Sequence, residues 1–572
     1  MIVRKSKVSY RGGPSLVRPA PFRVAAAGLA IALLLGGAPG APSASAASLP
    51  SPRPPEGPRG YYAESLDSIL GPGLAGAQIG LLAVSSDRQD TLLAYHDGRR
   101  LIPGSNAKLF PTAALLMLHG PLARRVTLLE ARGKVKRSGK EGGERSIEFK
   151  GDLTLRPCGM PDVVPLLQPG SRGLLDSLAL LLRAGGLRRF EGTLYVDRTL
   201  FADEPYPAGW GQDDLAYSYG APLGPVLANG NAALVTATEE RGRVRLVLDP
   251  PETPIALRVT GIAIGDSSAV GWLTPRWALG SRVLELSGMV PRGGSVKRSV
   301  AMSDPDSAAA HLLLAAMRRE GIELKKVSLG FLLPGQEGSG PLGPEAWRGI
   351  EPKSNRAWSG HASIAGWDSV SSSRSATVAA LPSPTVAEAI GAVNARSLNI
   401  EAEGILRLVG PAGWSKSRRE GIGQIYRLAA EAGIDTLDLS LVDGSGLSPQ
   451  NLATPRALVR WLTASDAADS LRGALRRGLA VAGEPGTLER RFAALPPGAK
   501  LSAKTGTLTN VSSLSGYLRT AEGEEIVFAM MVNGARRSVA AARDAEERLV
   551  SFLARTPRHR GAPFLPPGRI PR

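Results

Sequence analysis

Ser105-Asn106-Ala107-Lys108, directly after Pro103-Gly104 and opening an apolar helical run, is the stretch from which the rest of the chain can be read. Three residues apart on a helix, the Ser105 hydroxyl and the Lys108 amine share one face. Serine is a poor nucleophile at neutral pH and needs a base within hydrogen-bond reach. A lysine can be that base only where burial and a neighbouring positive field lower its pKa, and Lys504 is the expected source of that field. A serine at a helix N-terminus also gains from the orphan N–H groups there. Far downstream, Lys504-Thr505-Gly506-Thr507 precedes a strand-turn-strand pattern. It offers a cation, hydroxyls and a glycine that lets a ligand approach backbone, a combination suited to a carboxylate. Either motif alone is a weak signal. In this order they point to a serine activated by lysine and to a substrate that ends in a carboxylate.

Working outward from Ser105, residues 79–84 and 91–95 read as strands around a polar turn, and the nucleophile helix runs to about residue 118. From about residue 135 the texture changes. Strand patterns at 146–150, 192–196, 244–248 and 281–286 are separated by Gly- and Pro-rich loops, and 307–320 is an amphipathic helix. Residues 334–384, rich in Gly, Ser and Pro, bring the chain back. Helices follow at 385–394 and 400–409, the second directly after Ser397-Leu398-Asn399. Thr454-Pro455 is a capped helix start. Residues 513–520 and 525–532 pair as a hairpin, and 539–555 form a terminal helix. The expected architecture is α+β, an antiparallel sheet flanked by helices. It consists of a catalytic domain split over 47–134 and 372–555, and an inserted β-rich region of one or two subdomains over 135–371.

The 572 residues are 43% apolar and 21% charged, an ordinary globular balance long enough for more than one domain. The first 46 residues hold six basic and no acidic residues, an apolar stretch at 24–35, and Ala44-Ser45-Ala46 as a small-residue cleavage pattern. Residues 1–46 are therefore read as a signal peptide and the protein as exported. A retained N-terminal anchor is the alternative, disfavoured by the shortness of the apolar stretch. Residues 556–572 read as a disordered basic tail. The formal charge of +18 falls to +12 without the first 46 residues, an excess that suits anionic envelope polymers. Basic residues are scattered and aromatics make up only 5%, with no nucleic-acid-binding pattern. Cys158 is the only cysteine, so no intramolecular disulfide can form, and the five histidines fall in no metal-ligand spacing.

The ordered set SxxK, SxN (Ser397-Leu398-Asn399) and KTG resembles the penicillin-binding fold shared by DD-peptidases and serine β-lactamases. The loop Asp443-Gly-Ser-Gly-Leu-Ser448, Ser502-Ala-Lys-Thr-Gly-Thr507 and the passage from Trp210 through Tyr219-Gly-Ala-Pro222 to Asn231 sharpen this. They are similar to the low-molecular-mass class C D-alanyl-D-alanine carboxypeptidases of peptidase family S13, as is the separation of about 290 residues between SxxK and SxN. The resemblance implies Ser105 as nucleophile, Lys108 as general base and Ser397 as proton relay. Asn399 would position substrate and lysine. Lys504, Thr505, Gly506 and Thr507 would bind substrate, with Gly506 leaving room for its carboxylate. The N–H groups of Ser105 and Thr507 would form the oxyanion hole, and no cofactor or metal is needed. It further implies peptidoglycan peptides as substrates, DD-endopeptidase activity beside carboxypeptidase activity, and β-lactams as covalent inhibitors. A serine β-lactamase and a non-catalytic wall-binding homologue are the rival readings. The Asp443–Ser448 loop is expected to be a wall of the cleft rather than a source of catalytic groups. Two departures stand out: an apolar Leu398 inside SxN, and Pro111 in the second turn of the nucleophile helix, where a lost N–H predicts a kink just beyond Lys108.

Overall fold

The computed structural model describes residues 57–138, 146–167, 171–201, 203–278, 283–333, 363–364, 367–411, 416–466, 471, 473–535 and 539–555. The regions read as a signal peptide and a basic tail lie outside them. No described helix is long and apolar enough to cross a membrane.

Both ends of the described chain build one six-stranded antiparallel sheet. Its spatial order is Ala480–Val481, Lys500–Leu508, Val511–Arg519, Glu525–Asn533, Gln78–Ser85 and Asp90–Tyr95. Glu525–Asn533 is wholly buried except at its two ends, which is what a central strand covered on both faces requires. One face packs on the helix Leu109–His119, which follows Ser105 and Lys108, together with Val386–Arg396, Asn399–Leu408 and Pro455–Ser465. The other is covered by Leu66–Leu70 and the terminal helix Ala540–Arg555. Eight of the eleven residues of Leu109–His119 are buried, so it is a central helix with no polar face. Trp461 closes over its start, donating Nε1–H to Leu109 O at 2.9 Å beside Phe110.

The region between carries its own core. A second six-stranded sheet, mixed rather than antiparallel, runs Glu323–Leu332, Leu187–Asp197, Ser146–Arg156, Val126–Ser138, Ala376–Pro382 and Ser363–Ile364. Two three-stranded sheets lie within the same stretch. Strand Val126–Ser138 pairs along its length with Ser146–Arg156 and also with Ala376–Pro382. The boundary at 135 read from composition falls inside Val126–Ser138, one continuous strand that is buried at its start and exposed at its end.

Candidate active site

Ser105 and Lys108 lie in a single 3-10 turn, Gly104–Lys108, and the α-helix proper begins at Leu109. Pro111 is then the third α-helical residue rather than a second-turn one, and Lys108 keeps its contact with Ser105. Lys108 is fully buried beneath a half-exposed Ser105, and its Nζ lies 2.9 Å from Ser105 Oγ.

Two further oxygens hold the amine. Lys108 Nζ donates to Asn399 Oδ1 at 2.6 Å and to the backbone oxygen of Ser445 at 2.5 Å. Asn399 cannot be flipped without loss, because its Nδ2 donates to Tyr219 O at 2.9 Å. A carbonyl and an amide oxygen only accept. A neutral amine that gives them its two hydrogens turns its lone pair toward Ser105 Oγ. Burial lowers the Lys108 pKa to about 7, against the opposing pull of Asp443, Glu403 and Glu401. The positive field expected from Lys504 is not among these causes. The repulsion is felt at Lys504 itself, held well below its usual range by burial and then by Lys108.

Local sequence explains how SxN reaches this point. Helix Val386–Arg396 starts on a capping box in which Thr385 and Glu388 bond reciprocally. It stops at Ser397, which is left-handed at φ 60° and ψ 42°, a conformation costing a non-glycine residue about 1–2 kcal/mol. That reversal lets Asn399 open the next helix two residues later. Ser397 Oγ accepts from Lys504 Nζ at 2.9 Å, so its hydrogen-bond partner here is the KTG lysine rather than Lys108. Lys504 also donates to Thr505 O at 2.8 Å.

Gly506 lies where a side chain would meet protein. A Cβ there would lie 2.2 Å from Ser513 Oγ, 2.5 Å from Pro103 O and 2.9 Å from Ser105 N. The space beside it is filled by the nucleophile turn, which it lets pack directly on the KTG strand. The same closeness puts the Cβ site of Gly104 3.2 Å from Thr507 N. Gly506→Ala is therefore expected to lower stability by roughly 1–3 kcal/mol and to displace Ser105. Thermal unfolding and the rate of labelling by a fluorescent penicillin measure the two effects.

Several functional neighbours escape a reading of motifs. The Asp443–Ser448 loop is more than a wall, because the Ser445 carbonyl is one of the oxygens on Lys108. Asp443 braces the loop by accepting from Gly446 N, Ser448 N and Asn451 Nδ2, each at 2.7 Å. It also accepts from Trp210 Nε1 at 2.9 Å. Trp210 and Tyr219 both belong to the insert. Arg543, on the terminal helix, donates to Thr507 Oγ1 at 3.4 Å. For Trp210 and Tyr219 the resemblance of the 210–231 passage is a signal, as that of the Asp443–Ser448 loop is for Ser445; Arg543 has none.

The chain is similar to known proteins. The chain is 27% identical over 487 residues to a D-alanyl-D-alanine carboxypeptidase of Actinomadura sp. (strain R39), covering 82% of this chain and 80% of that protein. It is 24% identical over 477 residues to the D-alanyl-D-alanine carboxypeptidase DacB of Haemophilus influenzae, covering 80% and 86%. The crystal structure of penicillin binding protein 4 (dacB) from Haemophilus influenzae superposes with a TM-score of 0.64 at 22% identity, over 86% of this chain and 99% of that one. That likeness confirms the DD-peptidase-like α+β fold with its large β-rich insert. Residues 62–330 and 358–556 match the D-Ala-D-Ala carboxypeptidase 3 (S13) family, to which the chain therefore belongs.

Proposed function

We propose that this protein is an exported serine D-Ala-D-Ala carboxypeptidase that removes the terminal D-alanine of peptidoglycan stem peptides through an acyl-enzyme at Ser105. The observation that carries this reading is the buried Lys108 amine, held by Asn399 Oδ1 and Ser445 O with Ser105 Oγ in its remaining direction. Ser105 Oγ attacks the penultimate D-alanine carbonyl and its proton passes to Lys108. The N–H groups of Ser105 and Thr507 receive the developing oxyanion. The C–N bond then breaks, the leaving amine takes its proton by way of Ser397, and water hydrolyses the ester. Lys504, Thr505 and Thr507 receive the terminal carboxylate. An arriving carboxylate favours the charged form of Lys504. The positive excess of the chain outside residues 1–46 supports association with anionic envelope polymers.

The test is to incubate the purified protein with a peptide ending in D-Ala-D-Ala, with a cross-linked muropeptide dimer and with penicillin. Release of free D-alanine together with a long-lived penicillin adduct is the expected result. Cleavage of the dimer adds endopeptidase activity, since the acyl donor is the same and only the leaving amine differs. Rapid penicillin hydrolysis without D-alanine release identifies a β-lactamase. No reaction with any of the three identifies a non-catalytic homologue.

A further inference from the structure

Glu403 lies one helical turn after Asn399 on helix Asn399–Leu408 and is completely buried. Its Oε1 accepts from Gly444 N at 2.9 Å and from Ser445 N at 2.8 Å, the two peptide groups that lead into the Ser445 carbonyl on Lys108. One turn further on, fully buried Arg407 places Nη1 3.6 Å from Glu403 Oε2 and donates Nε to Asp203 Oδ1 at 2.7 Å. One face of one helix thus carries Asn399, Glu403 and Arg407 in line. The first holds Lys108 directly, the second holds the backbone that holds Lys108, and the third anchors the second to the insert. A carboxylate buried to this depth carries a large desolvation cost, yet it bonds the backbone of a loop that a neutral side chain could cap. Its position beside the base accounts for it.

We propose that Glu403 is a positioning residue for the reaction: through Gly444 and Ser445 it fixes the carbonyl that aims the Lys108 lone pair, and its charge tunes the base. This rests on the reading of Lys108 as the base for Ser105. The charged groups facing Glu403 are Asp443 on the loop, Arg407 on its own helix and Lys108 on the nucleophile turn. Those facing Lys108 are Asp443, Glu403, Glu401 and Lys504. Burial and Asp443 raise Glu403 to about 7, so the acid and the amine titrate in the same range. The Glu403 carboxylate favours protonated Lys108, and its removal favours the free base.

The test compares acylation rates by a fluorescent penicillin for the full-length wild type, E403Q and E403L between about pH 5 and 9. E403L leaves two buried N–H groups without an acceptor and frees the Ser445 carbonyl, so its rate falls roughly 10- to 100-fold. The glutamine oxygen of E403Q can take both N–H groups, so it labels faster than E403L. Its acid limb moves to lower pH, since Lys108 has lost a partner that favoured its charged form. A purely structural role would lower the unfolding temperature and leave that limb in place. E403L labelling at the wild-type rate, or an unmoved limb in E403Q, overturns the proposal. If E403L shows no cooperative thermal transition, the limb of E403Q decides alone. A wild type that is not labelled at all defeats the reading of Ser105 and Lys108 instead, which keeps the two failures apart.

Discussion

Ser105→Ala is expected to abolish covalent capture of penicillin. Intact-mass measurement should show one added penicillin on the wild type and none on the variant. Only the hydroxyl is lost, from a half-exposed residue whose Oγ meets Lys108 Nζ. Lys108 keeps its other two oxygens, so folding stability should stay within about 1 kcal/mol of wild type. Reversible binding should persist, because strand Lys500–Leu508, proposed above to hold the substrate carboxylate, is untouched. Loss of the adduct in a folded protein thus isolates the nucleophile. An adduct that survives on Ser105→Ala would place the attacking group elsewhere and dismantle the proposed chemistry.

Lys108→Met should slow acylation by about 10²- to 10⁴-fold, the range for removal of a positioned general base. Methionine nearly matches the length and flexibility of the buried side chain, so the core can close around it. The pH dependence separates a lost base from a lost fold. The base must be neutral to accept the Ser105 proton, and burial brings Lys108 to about 7. Wild-type acylation should therefore rise as pH increases through about 7 and level off above it. In Lys108→Met that rise should vanish while a small residual rate remains. A rate that keeps the wild-type limb in the variant would assign the titration to another group.

The contrast between what the motifs foretold and what they missed has a physical pattern. Ser105 and Lys108 are legible because both are side chains fixed by the geometry of one turn. The sheet strands and the helices after residue 384 are legible because apolar periodicity reports burial. Ser445 and Tyr219 contribute backbone oxygens, and any residue type carries one, so no spacing of side chains announces them. Gly506 announces a close approach, yet its neighbours in the sequence cannot say whether ligand or protein makes it. Pro111 reads as a defect when the helix is assumed to be α from its first residue. The structure sets it at the third α-helical position, after an opening 3-10 turn. A change of composition near 135 falls inside strand Val126–Ser138, which passes from core to surface without any break in its pairing.

The two ties from the insert, Trp210 on Asp443 and the Tyr219 carbonyl on Asn399, bear on how far the enzyme could be pared down. A minimal version joined across residue 126 and residue 382 would retain the six-stranded sheet and every residue of the three motifs. It would nevertheless lose the carbonyl that pins the Asn399 amide and the indole that secures the Asp443 loop. A shortened chain would keep its alphabet and lose its grammar: the insert is part of the frame that makes a serine and a lysine into a pair.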